Sequence, residues 1–339
     1  MAPNGDRLDD AARAGWLYYV AGNTQDQIAA KLGVSRQSAQ RLVSLAVSEG
    51  LVKVRIDHPI GRCMDLAARL TERFGLAFCD VVPTDPAAAT NIVGVAQATA
   101  LEIERWLRQP EPTVIAIGTG RTLKAAVEQL PPIACPDHKV VSLTGSIAPD
   151  GSAAYYNVIF TMADTVTVRS FPLPLPVIAS SKEERDMLRS QPIIRPTLEL
   201  AARADVAFVG IGELGPEAPL CVDGFVGEAE MEAMRAAGAA GEIVGWVFDT
   251  DGNVMAGFSN DRVTAPELAP ARERPTIACA MGEKKQGAIL AALAGRLITG
   301  LVTDEKTAEG LLARADEART GAARTAPAPA AGWAPAKAD

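Results

Sequence analysis

The sequence lacks several features on which catalytic and metal sites usually depend. Its 339 residues include only two histidines, His58 and His138, and both flank predicted loops without an obvious polar partner. The cysteines are scattered and form no CxxC pair or other metal-ligand spacing; they are Cys63, Cys79, Cys135, Cys221 and Cys279. We therefore expect no metal ion, no cofactor and no catalytic residue, and we interpret the cysteines as buried side chains in a reducing compartment.

Long apolar runs are absent as well. No 18 consecutive residues are apolar, and the first ten residues contain no apolar segment typical of a signal peptide. Apolar residues make up 48% of the chain and charged residues 22%, as in soluble proteins with a substantial core. The sequence thus predicts a cytoplasmic protein of two or three domains that has no membrane partner.

Charge is distributed unevenly along the chain. The net charge is −8, but residues 1–57 contain seven Lys/Arg and six Asp/Glu, which gives +1 for that segment and −9 for the remainder. Between Lys31 and Ile56, five cations accompany a single acid, Glu49. A locally basic surface on an acidic protein is compatible with binding to nucleic-acid phosphate without indiscriminate adhesion.

One segment near the N-terminus is typical of a helix-turn-helix. Its spacing predicts one helix over Gln25–Leu32 and a second over Arg36–Ser48, with Ser35 as the N-cap of the second. Gly33 is expected in the turn, at a place where a side chain would clash. Val34 is expected to fill the angle between the helices.

The outward face of the second predicted helix carries side chains that bind base edges or phosphate, including Arg36 and Arg41. A short strand over residues 51–56 would form a wing beside the DNA backbone. The candidate DNA-binding residues are Thr24, Gln25, Ser35, Arg36, Gln37, Ser38, Gln40, Arg41, Lys53 and Arg55. A helical hairpin packed in a larger core is the alternative, but the motif spacing favours DNA binding, with operator DNA as the partner.

From residue 64 onward, short apolar strands alternate with helices. Strands are predicted over residues 78–82, 114–117, 140–143, 206–211, 243–248, 276–281 and 298–303. This alternation predicts a doubly wound α/β domain with a mostly parallel sheet, whose strands end at one ligand-binding edge. We expect a winged helix-turn-helix domain over residues 1–57, the α/β domain over 58–316, and a disordered Ala/Pro-rich tail over 317–339.

Gly-rich loops follow several of these strands and are candidate sites for a small molecule. In residues 117–123 a strand ends, two glycines turn the chain and a helix begins. Backbone N–H groups together with Thr119, Arg121 and Thr122 would suit a phosphate monoester. A tight turn without a ligand explains this loop equally well when it is taken alone. Further candidates lie at residues 143–146, 210–212, 223–225, 240–242 and 282–285.

The order of motifs over residues 11–312 resembles the SorC family of bacterial sugar-responsive transcriptional regulators, which includes repressors and activators. Any one segment is unspecific, whereas nine in order over most of the chain are characteristic of this family. They are YYVAGNTQDQIAAKLGVSRQSAQRL, IGTGRTL, LTGS, ADVAFVGIGEL, DGFVGEAEM, GEIVGWVFD, NDRV, GEKKQGAILAAL and GLVTDEKTAEGLL.

The resemblance implies a C-terminal domain similar in fold to sugar-phosphate isomerases and deaminases but without their activity. It also implies a homo-oligomer, typically a tetramer, whose binding to operators near carbohydrate genes responds to a phosphorylated sugar or sugar alcohol. Loops and motif match together give the effector-binding candidates Gly118, Thr119, Gly120, Arg121, Thr122, Gly145, Ser146, Gly212, Asp223, Glu242 and Lys285. Ser146 and Met281 stand where the family usually has glycine, which leaves the shape of the ligand open.

Two alternatives concern the same domain. It could be a sugar-phosphate isomerase or deaminase that carries a DNA-binding appendage, with Asp223 and Glu242 as the available acid/base groups. A lysine, Lys124 or Lys285, could instead form a Schiff base with an aldose effector. The lack of a suitably placed histidine or paired carboxylate favours a regulator over an enzyme.

Overall fold

The computed structural model describes residues 4–52, 60–88, 90–268 and 274–325. The chain divides into two compact units, Met1–Pro59 and Ile60–Asp339, with the division close to the domain boundary expected at residue 57. None of the helices within the described ranges is long and apolar enough to span a membrane.

The described part of the first unit contains three helices, α1 (Asn4–Tyr19), α2 (Gln25–Leu32) and α3 (Arg36–Ser48). The last two have the predicted bounds, because local caps fix where they begin. Thr24 Oγ1 accepts from the Gln27 backbone N–H, and the Thr24 N–H donates to Gln27 Oε1 at 2.8 Å, which forms a capping box. Ser35 Oγ accepts from the Ser38 N–H at 3.1 Å.

The turn between α2 and α3 corrects two expectations. Gly33 has a φ of +67°, and no described heavy atom lies within 4 Å of the place where a Cβ would stand. The left-handed backbone, rather than a clash, therefore requires glycine there. Val34 is 36% exposed, so the prediction that it fills the angle between the helices is wrong. The core of the unit consists of Ala14, Leu17, Ile28, Ala29, Ala39 and Val43.

The predicted wing strand over residues 51–56 begins with Leu51 and Val52, which form a bend rather than a strand. Residues 53–59 lie outside the described residues. The assignments of Lys53 and Arg55 to phosphate contacts stay predictions for that reason, and His58 has no described surroundings.

The second unit is built on a parallel sheet. Its strands are β1 (Phe78–Val82), β2 (Val114–Ile117), β3 (Ile133–Ile147), β4 (Val166–Pro176), β5 (Val206–Val209), β6 (Ala239–Ile243), β7 (Trp246–Asp249), β8 (Thr276–Cys279) and β9 (Gly300–Asp304). Seven of them pair in the order β1-β9-β8-β5-β2-β3-β4, while β6 and β7 form a separate antiparallel hairpin. All pairs in the large sheet are parallel, which confirms the predicted α/β class.

Helices cover both faces of this sheet. They are α4 (Gly61–Phe74), α5 (Val93–Leu107), α6 (Arg121–Val127), α7 (Val158–Ala163), α8 (Lys182–Arg189), α9 (Arg195–Ala202), α10 (Pro219–Val222), α11 (Glu228–Ala236), α12 (Gln286–Ala294) and α13 (Glu305–Thr325). The last helix, α13, continues to Thr325, past residue 317, where the Ala/Pro-rich tail was expected to begin. Residues 326–339 lie outside the described residues.

Alternate side chains of the central strands enter two different cores. On β2, Ile115 and Ile117 belong to one buried cluster and Ala116 to the other. On β5, Phe208 joins the first of these clusters and Ala207 the second. Two buried faces explain why these strands are apolar throughout instead of alternating with polar residues.

The strand order creates a crevice beside β2. From β2 the chain proceeds to β3 and β4 on one side, and it then returns to β5 on the other side of β2. The loops that follow β2 and β5 therefore diverge at the carboxyl edge of the sheet. Open α/β sheets bind their ligands at such a switch point.

The strands that flank this crevice differ from prediction. β3 is much longer than the predicted residues 140–143, and it pairs with β4, which was not predicted at all. Pro172, Pro174 and Pro176 lie in β4 and argue against a strand when the sequence is considered alone. They are tolerated because β4 is an edge strand, where unpaired backbone groups face outward.

The predicted single strand over residues 243–248 is also wrong. The chain reverses at Val244 and Gly245, whose φ angles are +47° and +90°, so that β6 and β7 form a hairpin. Buried Asn260 holds this hairpin: its Oδ1 accepts from the Val247 N–H, and its Nδ2 donates to the Val247 carbonyl, both at 2.8 Å. The hairpin approaches the crevice from the side of β5.

Candidate functional site

A cavity of about 630 Å³ lies at the carboxyl edge of the sheet. It extends across the loops that follow β2, β5, β8 and β9, and includes one residue of β3 and the β6–β7 hairpin. Its polar lining includes Thr119, Arg121, Thr122, Thr144, Glu213, Asp223, Glu242, Lys284, Lys285, Asp304, Lys306 and Thr307. A cavity of this size, mostly apolar with a few convergent polar groups, is typical of a small-molecule site.

The loop after β2 forms one wall of the cavity. Thr119 Oγ1 donates to the Tyr156 carbonyl at 2.5 Å, and Gly120 has a φ of +126°. The first helical hydrogen bond of α6 runs from the Lys124 N–H to the Gly120 carbonyl at 2.9 Å. The preceding N–H groups of α6 are therefore available to a ligand, as at the beginning of any helix. Thr119, Gly120, Arg121 and Thr122 all line the cavity, as this loop was expected to do.

Gly118 lies beneath this wall rather than in it. Its N–H donates to the Phe208 carbonyl at 2.8 Å, and it is absent from the cavity lining. A Cβ at this position would stand 3.1 Å from Cγ1 of Val244. The glycine thus permits the hairpin to pack closely on β2, instead of contacting a ligand itself.

Asp223 and Arg121 lie near enough in the cavity for their charges to interact. Asp223 follows α10 and lines the cavity together with Arg121. Burial raises the pKa of the Asp223 carboxyl, and the positive charge of Arg121 partly opposes that rise. Asp223 is thus an acceptor whose charge is incompletely compensated.

Glu242 ties the hairpin to the loop after β5. Backbone hydrogen bonds join Gly212 and Glu242 in both directions at 3.0 Å, and Glu242 Oε2 accepts from the Gly245 N–H at 2.8 Å. Desolvation raises the pKa of the Glu242 carboxyl, while the Gly245 hydrogen bond and the charge of Lys285 act against it. A Cβ on Gly212 would collide with the Glu242 carboxylate, which is why glycine occupies that position.

Lys285 lies among acceptors. Its Nζ donates to the Ile211 carbonyl at 2.8 Å and lies 3.8 Å from Glu213 Oε2. Gly212, Glu242 and Lys285, which were predicted from separate segments, are brought together here with Glu213. Glu213 was not predicted, because its role depends on the position of β8 beside β5.

The prediction that residues 143–146 form a loop is wrong, whereas effector binding by Gly145 and Ser146 stays a prediction. These residues continue β3 instead of forming a loop after it, and neither Gly145 nor Ser146 lines the cavity. A Cβ on Gly145 would stand 2.5 Å from the Pro176 carbonyl oxygen, so this glycine allows close backbone approach to the end of β4. Thr144 lines the cavity in their place, with its side chain 5% exposed.

Four side chains of α3 that are predicted to contact DNA lie on its exposed face, and their DNA contacts stay predictions. Arg36, Gln37, Gln40 and Arg41 are all exposed, and Arg36 Nε lies 3.5 Å from Asp26 Oδ1. The other predicted contacts of this region have local roles: Thr24, Ser35 and Ser38 take part in helix caps, and Gln25 is half-buried.

Burial decides the protonation of two cysteines and the location of His138. Burial raises the pKa of the Cys79 and Cys279 thiols to about 12, which leaves both protonated at neutral pH. His138 is buried in β3, away from the cavity lining. Within the described ranges, no group of three or more His, Cys, Asp or Glu side chains is arranged to hold a metal ion.

Comparison with known proteins identifies the family. Residues 58–313 match the sugar-binding domain family. The chain is 34% identical over 312 residues to the erythritol catabolism regulatory protein EryD of Brucella abortus, an alignment that covers 92% of this chain and 98% of EryD. It is 33% identical over 315 residues to the transcriptional regulator LsrR of Klebsiella pneumoniae, with 90% and 93% covered.

A solved structure extends the likeness to the full length of the chain. The full-length sorbitol operon regulator SorC from Klebsiella pneumoniae is 26% identical, with a TM-score of 0.66, and the match covers 91% of this chain and 99% of SorC. The helix-turn-helix and the parallel sheet thus occur together in a known type of regulator. The chain belongs to the SorC family of sugar-binding transcriptional regulators.

Proposed function

We propose that this regulator controls carbohydrate or polyol catabolic genes and that a phosphorylated sugar or sugar alcohol, bound in the cavity of the second unit, alters its affinity for operator DNA. The observation that carries the proposal is the composition of the cavity. It combines a loop of N–H groups, hydroxyls and a cation with a separate set of carboxylates. A phosphorylated polyol has one anionic group and several hydroxyls, which require these two environments.

The loop after β2 would bind the phosphate. The N–H groups at the start of α6, the Thr122 hydroxyl and the Arg121 guanidinium all belong to the cavity wall, and such groups bind phosphate oxygens. Gly120, with its φ of +126°, lets the backbone approach an anion closely. Thr119, which donates to Tyr156, would hold the loop in place and still offer its oxygen as an acceptor.

Carboxylates on the β5 side of the cavity would bind the hydroxyls. Glu242 and Asp223 line the cavity and are partly desolvated, so each benefits from a ligand that donates a hydrogen bond. EryD is named for erythritol catabolism and SorC for the sorbitol operon. Both are polyol pathways, which supports a sugar alcohol or its phosphate as the effector here.

In DNA binding, α3 would enter the major groove with Arg36, Gln37, Gln40 and Arg41 toward the bases and phosphates. One copy of this helix has few base-reading side chains, so we infer that the protein works in the cytoplasm as a homotetramer that pairs its DNA-binding units. Repression that the effector relieves is the mode of control that we propose.

The enzyme alternative is not favoured, because the relatives that cover nearly the whole chain are named as regulators. Of the two lysines considered for a Schiff base, Lys124 does not line the cavity, whereas Lys285 does. Lys285 already donates to the Ile211 carbonyl and lies beside Glu213, which favours a structural role over that of a nucleophile.

Thermal-shift screening against phosphorylated and free polyols, followed by DNA-binding titration, tests the proposal. A phosphorylated polyol should raise the melting temperature and change the affinity for an operator selected by the protein from random duplexes. Stabilisation by free polyols alone would exclude a phosphorylated effector, and a lack of any effect on DNA binding would exclude control through the cavity.

A further inference from the structure

Glu213 follows β5 and lines the cavity without a defined role in the fold. Its side chain is 24% exposed, and its Oε2 atom is buried. Among the described residues this oxygen accepts no hydrogen bond; its nearest cation is Lys285 Nζ, at 3.8 Å. A buried carboxylate oxygen normally has a hydrogen-bond donor, because desolvation without one is costly.

Lys285 cannot fully supply that donor. Its Nζ donates to the Ile211 carbonyl at 2.8 Å and stays 3.8 Å from Glu213 Oε2, which is beyond hydrogen-bond distance. The same ammonium also lowers the pKa of Glu242, while Glu213 raises it. Glu213 and Glu242 thus both interact with Lys285, while the neighbouring Lys284 pairs with Glu217 at 2.7 Å.

The charges of these side chains favour a neutral ligand group over an anionic one at this end of the cavity. A phosphate would meet the carboxylates of Glu213 and Glu242, whereas the two nearby lysines already have partners: Lys284 pairs with Glu217 at 2.7 Å, and Lys285 donates to the Ile211 carbonyl. Like charges at such short range are unfavourable in a partly desolvated site. A neutral hydroxyl has neither problem, because it donates to a carboxylate without adding charge.

Thr144 supplies an independent observation. It is 5% exposed and lines the same cavity from β3, and within the described part of the chain its Oγ1 has no hydrogen-bond partner. A hydroxyl can both donate and accept, so it pairs well with a second hydroxyl. Two side chains, Thr144 on β3 and Glu213 in the loop after β5, therefore line one cavity, and each has a polar atom without a hydrogen-bond partner among the described residues.

We propose that Glu213 is a specificity-determining residue that accepts a hydrogen bond from an effector hydroxyl, and that Thr144 pairs with a second hydroxyl of the same ligand. This inference rests on the proposed function and deepens it. The pair makes the regulator selective for polyhydroxylated effectors over analogues that lack a single hydroxyl. The phosphate is left to the loop after β2.

The test compares matched ligands in matched variants. Erythritol 4-phosphate, ribitol 5-phosphate, glucitol 6-phosphate and glucose 6-phosphate are titrated calorimetrically into the full-length protein, and the tightest is compared with its single-deoxy analogues. Glu213→Gln should weaken binding of the parent compound about tenfold or more. For at least one deoxy analogue, the affinities of wild type and Glu213→Gln should differ by less than about twofold, because that analogue lacks the hydroxyl that would donate to Glu213.

The control is Glu232→Gln, which makes the same change at an exposed glutamate and removes a 3.2 Å ion pair with Arg235 on α11. It should bind every ligand as the wild type does. The inference would be overturned if Glu213→Gln lost the same factor of affinity for the parent and for all deoxy analogues, or lost no affinity at all. Either result would leave the proposed function intact. If wild type binds none of the phosphates, the proposed function itself fails.

A second variant guards against misfolding. Thr144→Val keeps the side-chain shape and removes the hydroxyl, so the same comparison can be made if Glu213→Gln does not fold. Thr144→Val should weaken binding of the parent compound. It should not weaken binding of one deoxy analogue, which should differ from the analogue that is insensitive to Glu213→Gln. If Thr144→Val weakened binding of the parent and of every deoxy analogue by the same factor, the pairing of Thr144 with a hydroxyl would be contradicted.

Discussion

The backbone N–H of Gly245 donates a 2.8 Å hydrogen bond to Oε2 of Glu242, so a carboxylate that lines the cavity also closes the turn of the β6–β7 hairpin. The same turn holds Val244 at a φ of +47°, which β-branched residues rarely adopt. A ligand hydroxyl that binds Glu242 therefore acts on a group that supports a strained segment. This relationship links occupancy of the cavity to the conformation of the hairpin.

Glu242→Gln should change how stability depends on pH. Desolvation raises the folded-state pKa of this carboxyl above its ordinary value of 4.5. The stability that it contributes is present below that value and is lost as the pH rises through the folded-state pKa. Wild type should therefore lose stability relative to the variant by about 1.4 kcal/mol for each unit of pKa shift. Urea unfolding at pH 4.5 and pH 8 measures this, and a constant difference between the two proteins would contradict it.

Gly145→Ala should destabilise the second unit by about 2–3 kcal/mol, because the added Cβ would overlap the backbone at Pro176. Gly215→Ala is the matched control: no described heavy atom lies within 4 Å of its Cβ position. That variant should stay within about 0.5 kcal/mol of wild type. Thermal unfolding followed by circular dichroism distinguishes the two. Equal effects of both substitutions would remove the structural role assigned to Gly145.

Thr119→Ala combined with Lys285→Ala should abolish the thermal shift produced by a phosphorylated polyol. Thr119 holds the loop after β2 against Tyr156, and Lys285 balances Glu213, so both ends of the ligand lose support. In wild type, ligand at a hundred times its Kd stabilises by about 2.7 kcal/mol. Lys182→Ala, at an exposed position on α8, serves as the control and should keep the shift. Persistence of the shift in the double variant would mean that the ligand binds elsewhere.

Arg36→Ala with Arg41→Ala should weaken operator binding by at least about tenfold and reduce its salt dependence. The fold should survive, because both side chains are exposed and the ion pair of Arg36 with Asp26 lies in solvent. Gel shifts at moderate salt, with size-exclusion chromatography to verify the oligomer, provide the measurement. Arg108→Ala removes a comparable exposed arginine just after α5 and should leave retention unchanged. Undiminished retention of the operator by the double variant would refute the role of α3 in DNA binding.

Local signals explain which elements could be predicted from the sequence. The bounds of α2 and α3 depend on Thr24, Gly33 and Ser35, all within one turn of the helices they limit. β4 depends instead on its place at the edge of the sheet, which no local pattern reveals, and its prolines conceal it. The β6–β7 hairpin was missed because a valine at positive φ contradicts the preference of its residue type.

The residues of the site also divide into those that a local sequence pattern predicts and those that only the packed structure reveals. A Gly-rich loop after a strand is visible in the sequence, and residues 119–122 do line the cavity. Thr144 and Glu213 were missed because their significance is burial without a hydrogen-bond partner, which only the packed structure shows. Gly145 resembles a ligand-binding glycine in sequence, but its neighbour is the backbone of the segment at the end of β4.

The most direct test of the account is a fluorescence-anisotropy titration of a selected operator duplex, with and without a saturating phosphorylated polyol, in wild type and in Thr119→Ala/Lys285→Ala. Wild type should change its Kd for DNA at least about fivefold on ligand addition. The variant should bind DNA as wild type does without ligand and respond less than about twofold. An equal response in both proteins, or none in wild type with a ligand that stabilises it, would contradict control of DNA binding through this cavity.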